Sequence, residues 1–304
     1  MNCFDQVRII AVIVSYNPSV KNLNRLILSL TDDPRVLVNL VDNGSPEILF
    51  SEIVNGEHIT KTKLESNVGI AAAQNKGIEY AIQKNADFVI FFDQDSTIPA
   101  GFIDNLLQDY YGLKESGIKV GAIGPRFIDD RHDFYYKTIN LSKSGFRKKM
   151  DVSNITQPIH SSLLISSGSL ISVETLKNVG LMRENYFIDY VDTEWCIRAE
   201  SKGYKNYMSA KAVMRHTIGD KILQFGFFNV PVHSPFRRYY RVRNAMYMLH
   251  EPHVPFLLFL REMIFNFVHQ MILVCSEKEK NAYLKSYLNG IRDGFRVNSK
   301  DFLE

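Results

Sequence analysis

Two carboxylates are separated by a single residue in Asp93-Gln-Asp95, directly after the apolar run 88–92. Such a run is typical of a strand that is buried on both faces of a parallel sheet. Ligands of open α/β sheets bind at the carboxyl ends of the strands, and carboxylate oxygens suit hard divalent cations. The stretch therefore predicts a cation site that grips a diphosphate, although an isolated Asp-x-Asp is also common in solvated turns.

Two further predicted strands also end in polar residues. The run 8–15 leads into Tyr16-Asn17, and the run 36–41 leads into Asp42-Asn43-Gly44-Ser45. Apolar residues at helical spacing between the runs argue for βαβ units, whose parallel strands end at one edge of the sheet. Neither Gly-x-Gly-x-x-Gly nor a Gly-Lys-Ser/Thr loop follows the first strand, which disfavours dehydrogenases and P-loop enzymes. The pattern predicts a nucleotide cleft whose phosphates are held by a metal and by cationic side chains.

A second group of acids occurs in the stretch Asp189-Tyr-Val-Asp192-Thr-Glu194-Trp-Cys-Ile-Arg198. Asp192 is suited to cap a helix, and the helix dipole favours Glu194 in the first turn. Structural roles alone would explain both acids. His216 follows the next predicted strand, where a single histidine is more often structural than a metal ligand.

Composition and charge indicate an ordinary globular protein that does not bind nucleic acid. The chain has 304 residues, 45% hydrophobic and 23% charged, and its net charge is only +3. The three cysteines, Cys3, Cys196 and Cys275, match no zinc spacing and fit a reducing compartment. We find no signal-peptide pattern and no uninterrupted run of about 18 apolar residues. We therefore expect a cytoplasmic protein.

Together these motifs resemble glycosyltransferase family 2, whose members have the GT-A fold. The elements occur in the family's order over residues 7–250: Val14-Ser15-Tyr16-Asn17, Val41-Asp42-Asn43-Gly44-Ser45, Asn67-Val-Gly69, Asn75-Lys-Gly77, Phe92-Asp93-Gln94-Asp95-Ser96, Ser167-Gly168-Ser169, Asp192-Thr193-Glu194-Trp195 and His216. The resemblance implies an α/β, Rossmann-like fold with a mostly parallel central sheet flanked by helices. Within the family, the segments 42–45, 93–96 and 238–244 look most like bacterial rhamnosyltransferases of O-antigen, lipopolysaccharide and other cell-surface polysaccharide assembly.

The resemblance also divides the chain. A GT-A domain would occupy residues 1–250, with a nucleotide-sugar half at about 1–127 and an acceptor and catalytic half at about 155–250. Residues 251–304 would form a C-terminal helical extension. Its segment 255–274 is strongly apolar but is broken by five polar residues, Arg261, Glu262, Asn266, His269 and Gln270. We therefore expect a helix that docks on a membrane surface or forms an oligomer, not one that spans a membrane.

The resemblance implies roles for individual residues. Asp192 would be the general base, and Asp95, His216 and Asp93 would hold Mn²⁺ or Mg²⁺. Asp42 would accept a hydrogen bond from a pyrimidine ring within a donor-nucleotide site formed by Val14, Ser15, Tyr16, Asn17, Asp42, Asn43, Asn67, Gly69, Asn75, Asp93 and Gln94. A last set, equally open to structural roles, would contact the diphosphate or the acceptor: Ser169, Glu194, Arg238, Tyr240 and Arg243.

One base and no enzyme nucleophile imply an inverting transfer. L-Rhamnose would pass from dTDP-β-L-rhamnose to a hydroxyl of a saccharide, which is itself linked to undecaprenyl diphosphate at the inner membrane. A UDP-sugar donor (galactofuranose, glucose or N-acetylglucosamine) stays open because pocket shape decides the sugar. A nucleotidyltransferase is disfavoured by the lack of a Gly-rich basic signature. A non-catalytic scaffold is disfavoured because the acids and the histidine occur together.

Overall fold

The computed structural model of the chain describes residues 6–130, 133–216, 222–225 and 228–296. The strands are β1 Ile9–Ser15, β2 Val36–Asp42, β3 Ile59–Lys63, β4 Phe88–Asp93, β5 Val120–Asp129, β6 Thr138–Leu141, β7 Arg147–Met150, β8 Ile159–His160, β9 Leu170–Ser172, β10 Lys205–His216, β11 Ile222–Phe225 and β12 Phe228–Pro231. The helices are α1 Val20–Thr31, α2 Glu47–Ser51, α3 Ile70–Gln83, α4 Phe102–Glu115, α5 Val173–Val179, α6 Val191–Ser201, α7 Pro235–Tyr247, α8 Phe256–Ser276 and α9 Lys280–Phe295.

The central sheet has eight strands in the order β3-β2-β1-β4-β9-β5-β10-β8. Strands β3, β2, β1 and β4 are parallel neighbours, and so are β5 and β10, whereas β9 and β8 run antiparallel. Ser15 lies opposite Asp42, and Val14 lies opposite Asp93. The predicted mostly parallel α/β sheet is confirmed, and the three polar strand ends lie at one edge.

Helices cover both faces of the sheet, which explains why its central strands are apolar throughout. Successive residues of β1 point to opposite faces: Ile9, Ala11 and Ile13 pack with α1 and α4, whereas Ile10 and Val12 pack with α3. Gly77 of α3 lets that helix approach β1, since an added Cβ would lie 2.3 Å from a methyl carbon of Val12. The sheet thus runs through both predicted halves of the chain, and their division stays a prediction.

The C-terminal part of the described chain consists of three helices that pack on one another. Gly290 of α9 lies so close to α7 that a Cβ there would come within 2.8 Å of the Tyr239 carbonyl oxygen. The polar and charged segment between β5 and β8 contains the β6–β7 hairpin. Its turn rests on the start of α8, since a Cβ on Gly145 would lie 2.8 Å from the Leu258 amide nitrogen.

Candidate active site

Asp42 lies at the end of β2 and organises the turn that follows it. Its Oδ2 accepts hydrogen bonds from Ser15 Oγ (2.8 Å) and Ser45 Oγ (2.6 Å), and its Oδ1 accepts one from the Ser45 amide (2.8 Å). The residue has no solvent-exposed surface. Three protein donors therefore satisfy the buried carboxylate, and the expected contact with a pyrimidine base would require the covering residues to move.

Asn43 and Asn67 fasten the turn before α3 to the end of β2. Asn43 Nδ2 donates to Asn67 Oδ1 (2.9 Å), and the Val68 amide donates to Asn43 Oδ1 (2.9 Å). Gly69 has φ +90°, and a Cβ there would lie 2.6 Å from the Phe187 ring, so only glycine fits. These predicted nucleotide-binding residues therefore hold the turn before α3 at the carboxyl end of β2.

Gln94 links the ends of β1 and β4. Its Oε1 accepts from the Tyr16 amide (2.8 Å), and its Nε2 donates to the Tyr16 carbonyl (3.3 Å). Tyr16 and its neighbour Asn17 are exposed, and Val14 is half-buried. The amide therefore fixes the backbone that would frame a nucleotide while leaving the Tyr16 ring free to contact it.

The Asp93–Asp95 turn is half-buried at Asp93 and exposed at Asp95. Ser167 Oγ accepts a hydrogen bond from the Asp93 amide (3.2 Å) and pairs with Ser96 Oγ (2.9 Å). The segment of small residues 166–169 therefore holds the turn that carries the two carboxylates. Ser169 lies within this segment, where it is buried and its Oγ donates to the Ile165 carbonyl (2.6 Å).

The same segment reaches Asp192, because the Ser166 amide donates to its carboxylate. Asp192 is half-buried, and its Oδ1 also accepts from the Thr193 amide (2.7 Å). Burial, with the negative charges of Asp189 and Asp93, raises the pKa of Asp192 to about 6. A carboxylate with such a pKa is ionised at neutral pH and takes up a proton more readily than an ordinary aspartate. The structure therefore brings Asp93 and Asp192 close enough together for their charges to interact.

The loop before Asp192 is held in an unusual backbone conformation. Phe187, Asp189 and Tyr190 have φ values of +62°, +65° and +63°, which are costly for residues other than glycine. Asn244 Nδ2 donates to three carbonyls of this loop, those of Tyr186 (2.7 Å), Ile188 (2.7 Å) and Asp189 (3.0 Å). Sequence reasoning missed this role, because no local pattern shows which loop an amide on α7 will meet.

Asp189 was also missed as a site residue, although it lies three positions before Asp192. Its carboxylate is paired with Arg237 (3.1 Å) and Arg241 (3.3 Å) of α7. Burial alone would raise the pKa of Asp189, but Arg241 and Arg237 hold it below its usual value. The two arginine side chains are themselves 43% and 33% exposed, which places positive charge beside the candidate base.

Glu194 lies on the other side of α6 and is fully buried. Arg198 donates to both of its oxygens (2.7 and 3.0 Å), and His253 Nε2 lies 2.9 Å from Oε1. Arg198 also donates to the carbonyls of Val179 and Leu181. The expectation that Glu194 contacts an acceptor is thus corrected, since Glu194 forms a buried structural ion pair with Arg198.

Glu194, Glu251 and His253 lie close enough together to suggest a metal site. Arg198 occupies the Glu194 oxygens, and Arg183 lies 3.5 Å from Glu251. Positive charge is therefore already supplied by arginine, and the cluster is better described as an ion-pair network than as a metal centre.

Three other predicted contacts also have structural partners. Asn75 is buried and donates to the Met182 carbonyl and to Glu184 (both 2.9 Å). Arg238 is fully buried, where its guanidinium donates to Gln270 (3.2 Å) and Asn266 (3.2 Å). Arg243 donates to the Tyr186 carbonyl (3.3 Å). Their side chains hold the loop and helices around the cleft, because buried donors must find partners.

Tyr240 keeps part of its ring exposed. The ring stacks on Phe187 with centroids 4.4 Å apart and contacts Phe236, which is 58% exposed. Arg243 covers the Tyr240 ring at 4.6 Å. The aromatic group therefore borders the loop that carries Asp189.

His216 ends β10, and its side chain lies outside the described residues.

Comparison with known proteins decides the family. Residues 10–180 match the family described as Glycosyl transferase family 2. The dTDP-rhamnosyl transferase RfbF of Shigella flexneri is 42% identical over 288 residues, which cover 95% of each chain. The chain belongs to glycosyltransferase family 2. This confirms the resemblance read from the motifs, and the protein is an enzyme of the glycosyltransferase class.

Solved structures share the fold of this glycosyltransferase. GalNAc-T7, solved with UDP, GalNAc and Mn²⁺, has a TM-score of 0.57 at 15% identity; the match covers 90% of this chain and 58% of that one. S. aureus TarS 1–349 gives 0.56 at 16% identity, covering 95% and 80%. The mannosyltransferase PcManGT of Pyrobaculum calidifontis, in complex with GDP-Man and Mn²⁺, gives 0.52 at 13%, covering 94% and 85%. The predicted GT-A fold is confirmed.

Proposed function

We propose that the enzyme transfers L-rhamnose from dTDP-β-L-rhamnose to a hydroxyl of a saccharide acceptor. The observation that carries the donor is the match to RfbF, which is named a dTDP-rhamnosyl transferase and aligns over 95% of both chains. The alignment therefore includes most of the C-terminal helices that frame the cleft, as well as the nucleotide-binding half.

Asp192 is the proposed general base. It removes the proton from the acceptor hydroxyl while that oxygen attacks the anomeric carbon from the face opposite the diphosphate. The bond from the anomeric carbon to the diphosphate oxygen breaks, and dTDP leaves. One displacement inverts the anomeric centre, so a β-L donor gives an α-L-rhamnoside. The raised pKa of Asp192 supports this role.

A divalent cation, Mn²⁺ or Mg²⁺, fits the carboxylates of Asp93 and Asp95. Asp93 is half-buried and Asp95 is exposed at the same strand end. Carboxylate oxygens are hard ligands that suit both Mn²⁺ and Mg²⁺. The cation would neutralise negative charge on the diphosphate leaving group. His216 stays a prediction as a third ligand. On the protein side, Arg237 and Arg241 replace the buried Arg238 as the proposed cations for phosphate oxygens, since both are partly exposed.

We further propose that the acceptor saccharide is linked to undecaprenyl diphosphate. The enzyme would then act in assembly of O-antigen or a related surface polysaccharide, at the cytoplasmic face of the inner membrane. An apolar helix in the C-terminal region supports a location at a membrane. A homo-oligomer also stays a prediction.

Isothermal titration with dTDP, UDP and dTDP-L-rhamnose, each with and without Mn²⁺, tests the donor. We expect cation-dependent binding that is tighter for dTDP and its rhamnose conjugate than for UDP. Preference for UDP would replace the donor with a UDP-sugar (galactofuranose, glucose or N-acetylglucosamine) while leaving the mechanism in place. Absence of nucleotide binding under every condition would contradict the proposed function.

A further inference from the structure

Helix α8 buries three polar side chains and leaves seven large apolar side chains exposed. Positions at spacings of three and four form its buried side: Leu258, Glu262, Asn266, Gln270 and Leu273. The exposed large apolar side chains of the helix are Phe256, Leu257, Leu260, Ile264, Phe265, Phe267 and Val268, which are 37–61% exposed. This is the reverse of an ordinary surface helix, whose apolar stripe faces the core.

The buried polar side of α8 is explained by its partners. Glu262 accepts a hydrogen bond from the Tyr190 hydroxyl (2.8 Å), and Asn266 and Gln270 accept from Arg238. Arg147 of the β6–β7 hairpin lies 3.2 Å from Glu262. These contacts fix the rotation of the helix, so its apolar side cannot turn inward without breaking a buried polar network.

The apolar side continues onto the neighbouring hairpin. The turn between β6 and β7 packs on the start of α8 through Gly145, and the next residue, Phe146, is 67% exposed. Phe146 and the exposed side of α8 are together called the α8 surface below. Contiguous exposed apolar area of this kind marks a contact surface for a partner or a membrane.

Positive charge flanks the α8 surface at both ends. Exposed lysines occur on the hairpin and just after α8, at Lys143, Lys148, Lys149, Lys278, Lys280 and Lys285. The exposed carboxylates of these two stretches are Asp151 and Glu279. An apolar helix face with flanking lysines is complementary to a lipid surface that carries negative headgroups.

In the described part of the chain, α8 is the one helix that is both long enough and apolar enough to cross a membrane, with a mean hydropathy of 1.5. Crossing would strip Glu262, Asn266 and Gln270 from their partners and expose them to lipid, which is strongly unfavourable. The polar network therefore favours a helix that lies along the membrane surface.

We propose that the α8 surface docks the enzyme on an anionic lipid bilayer, with its Phe, Leu, Ile and Val side chains inserted among the headgroups. The proposal rests on the proposed function for its purpose, which is to hold the cleft near a lipid-linked acceptor. The contacts that carry it are independent of the donor sugar. Asp192 and the docking helix are joined through Tyr190, whose hydroxyl bonds to Glu262 and which directly precedes α6.

Flotation of the full chain with vesicles tests the proposal. We expect binding to phosphatidylethanolamine–phosphatidylglycerol vesicles, and weaker binding to neutral phosphatidylcholine vesicles. The triple variant L260Q/I264Q/F267Q should bind the anionic vesicles at least about tenfold more weakly, since three inserted side chains are lost. The matched control L28Q/I48Q alters side chains that are 52% and 68% exposed elsewhere, and it should bind as the wild type does.

The role of charge is tested by K143E/K148E/K149E, which should weaken binding to anionic vesicles more than to neutral ones. Failure of the wild type to bind either vesicle, or unchanged binding by the triple glutamine variant, would overturn the proposal. A stable dimer in lipid-free sedimentation that dissociates in the glutamine variant, without vesicle binding, would assign the surface to a second copy and overturn it too. Titration of the same variant with dTDP separates the outcomes: nucleotide binding retained with docking lost supports the proposal and leaves the function intact.

Discussion

The two sides of α6 show how one helix turn separates the proposed general base from structural support. Asp192 and Glu194 are two residues apart, so their side chains point about 200° apart around the helix axis. Asp192 is half-buried beside Asp93, and its pKa is raised to about 6. Glu194 is fully buried, yet its pKa is lowered, since His253 and Arg198 outweigh the effect of burial.

The difference lies in which cations the protein supplies. Glu194 receives a two-pronged hydrogen bond from Arg198, which stabilises its charge permanently. Asp192 receives only backbone amides, while Asp189 and Asp93 add negative charge. A carboxylate that is left without a cation is costly for folding but reactive toward protons, which is the environment expected of a base. Opposite effects of Asp192→Asn and Glu194→Gln on activity and on stability would establish this contrast.

The largest expected effect is that of Asp192→Asn on turnover. We expect kcat to fall on the order of 10²–10⁴-fold, because the amide cannot accept the acceptor proton. Donor binding by titration should be retained. The midpoint of thermal unfolding should be unchanged or raised, since a carboxylate with a raised pKa opposes folding at neutral pH. Wild-type turnover by this variant would remove Asp192 from the mechanism.

Much of this arrangement could be predicted from the sequence because it depends on local signals. Buried strands appear as apolar runs, and a parallel sheet brings their polar ends to one edge, so Asp42 and Asp93 could be placed together. Helix geometry alone could also have separated Glu194 from Asp192. The family resemblance left Glu194 open to an acceptor contact or to a structural role, since spacing along the chain does not show which partners each side of the helix meets.

The roles of α7 could not be predicted, because they depend on contacts with distant segments. The run 237–244 indicates a cationic surface, and phosphate binding was a reasonable hypothesis. In the structure Arg238 turns inward to Asn266 and Gln270, and Asn244 holds the strained loop before Asp192. The same contacts explain the polar residues of α8. They interrupt an apolar stretch in the sequence, but in the structure Asn266 and Gln270 accept hydrogen bonds from Arg238.

Glu194→Gln should have an intermediate effect, and on stability instead of chemistry. Removing one charge of a buried ion pair leaves Arg198 without its partner, which costs about 3–5 kcal/mol. We expect the free energy of unfolding in urea to fall by this amount, while kcat per folded molecule stays near that of the wild type. Glu174→Gln changes an exposed glutamate in the first turn of α5, and as a control it should shift stability by no more than about 0.5 kcal/mol. A loss of kcat comparable to that of Asp192→Asn, in folded protein, would place Glu194 in the reaction.

The smallest expected effect is a shift in the pH dependence caused by Asp189→Asn. The base must be ionised to act, so kcat/KM should rise with pH through the pKa of Asp192, about 6 in the free protein. The negative charge of Asp189 helps to raise that pKa, and its removal also leaves Arg237 and Arg241 unbalanced beside the base.

Both changes favour the ionised form of Asp192, so the acid limb of the profile should move to lower pH. Cation binding at Asp93 would move it in the same direction, and the variant and wild type are therefore compared at one metal concentration. Asp32→Asn, at an exposed site after α1, should leave the limb in place. A limb that moves to higher pH, or does not move, would mean that the charge of Asp189 does not raise the pKa of Asp192.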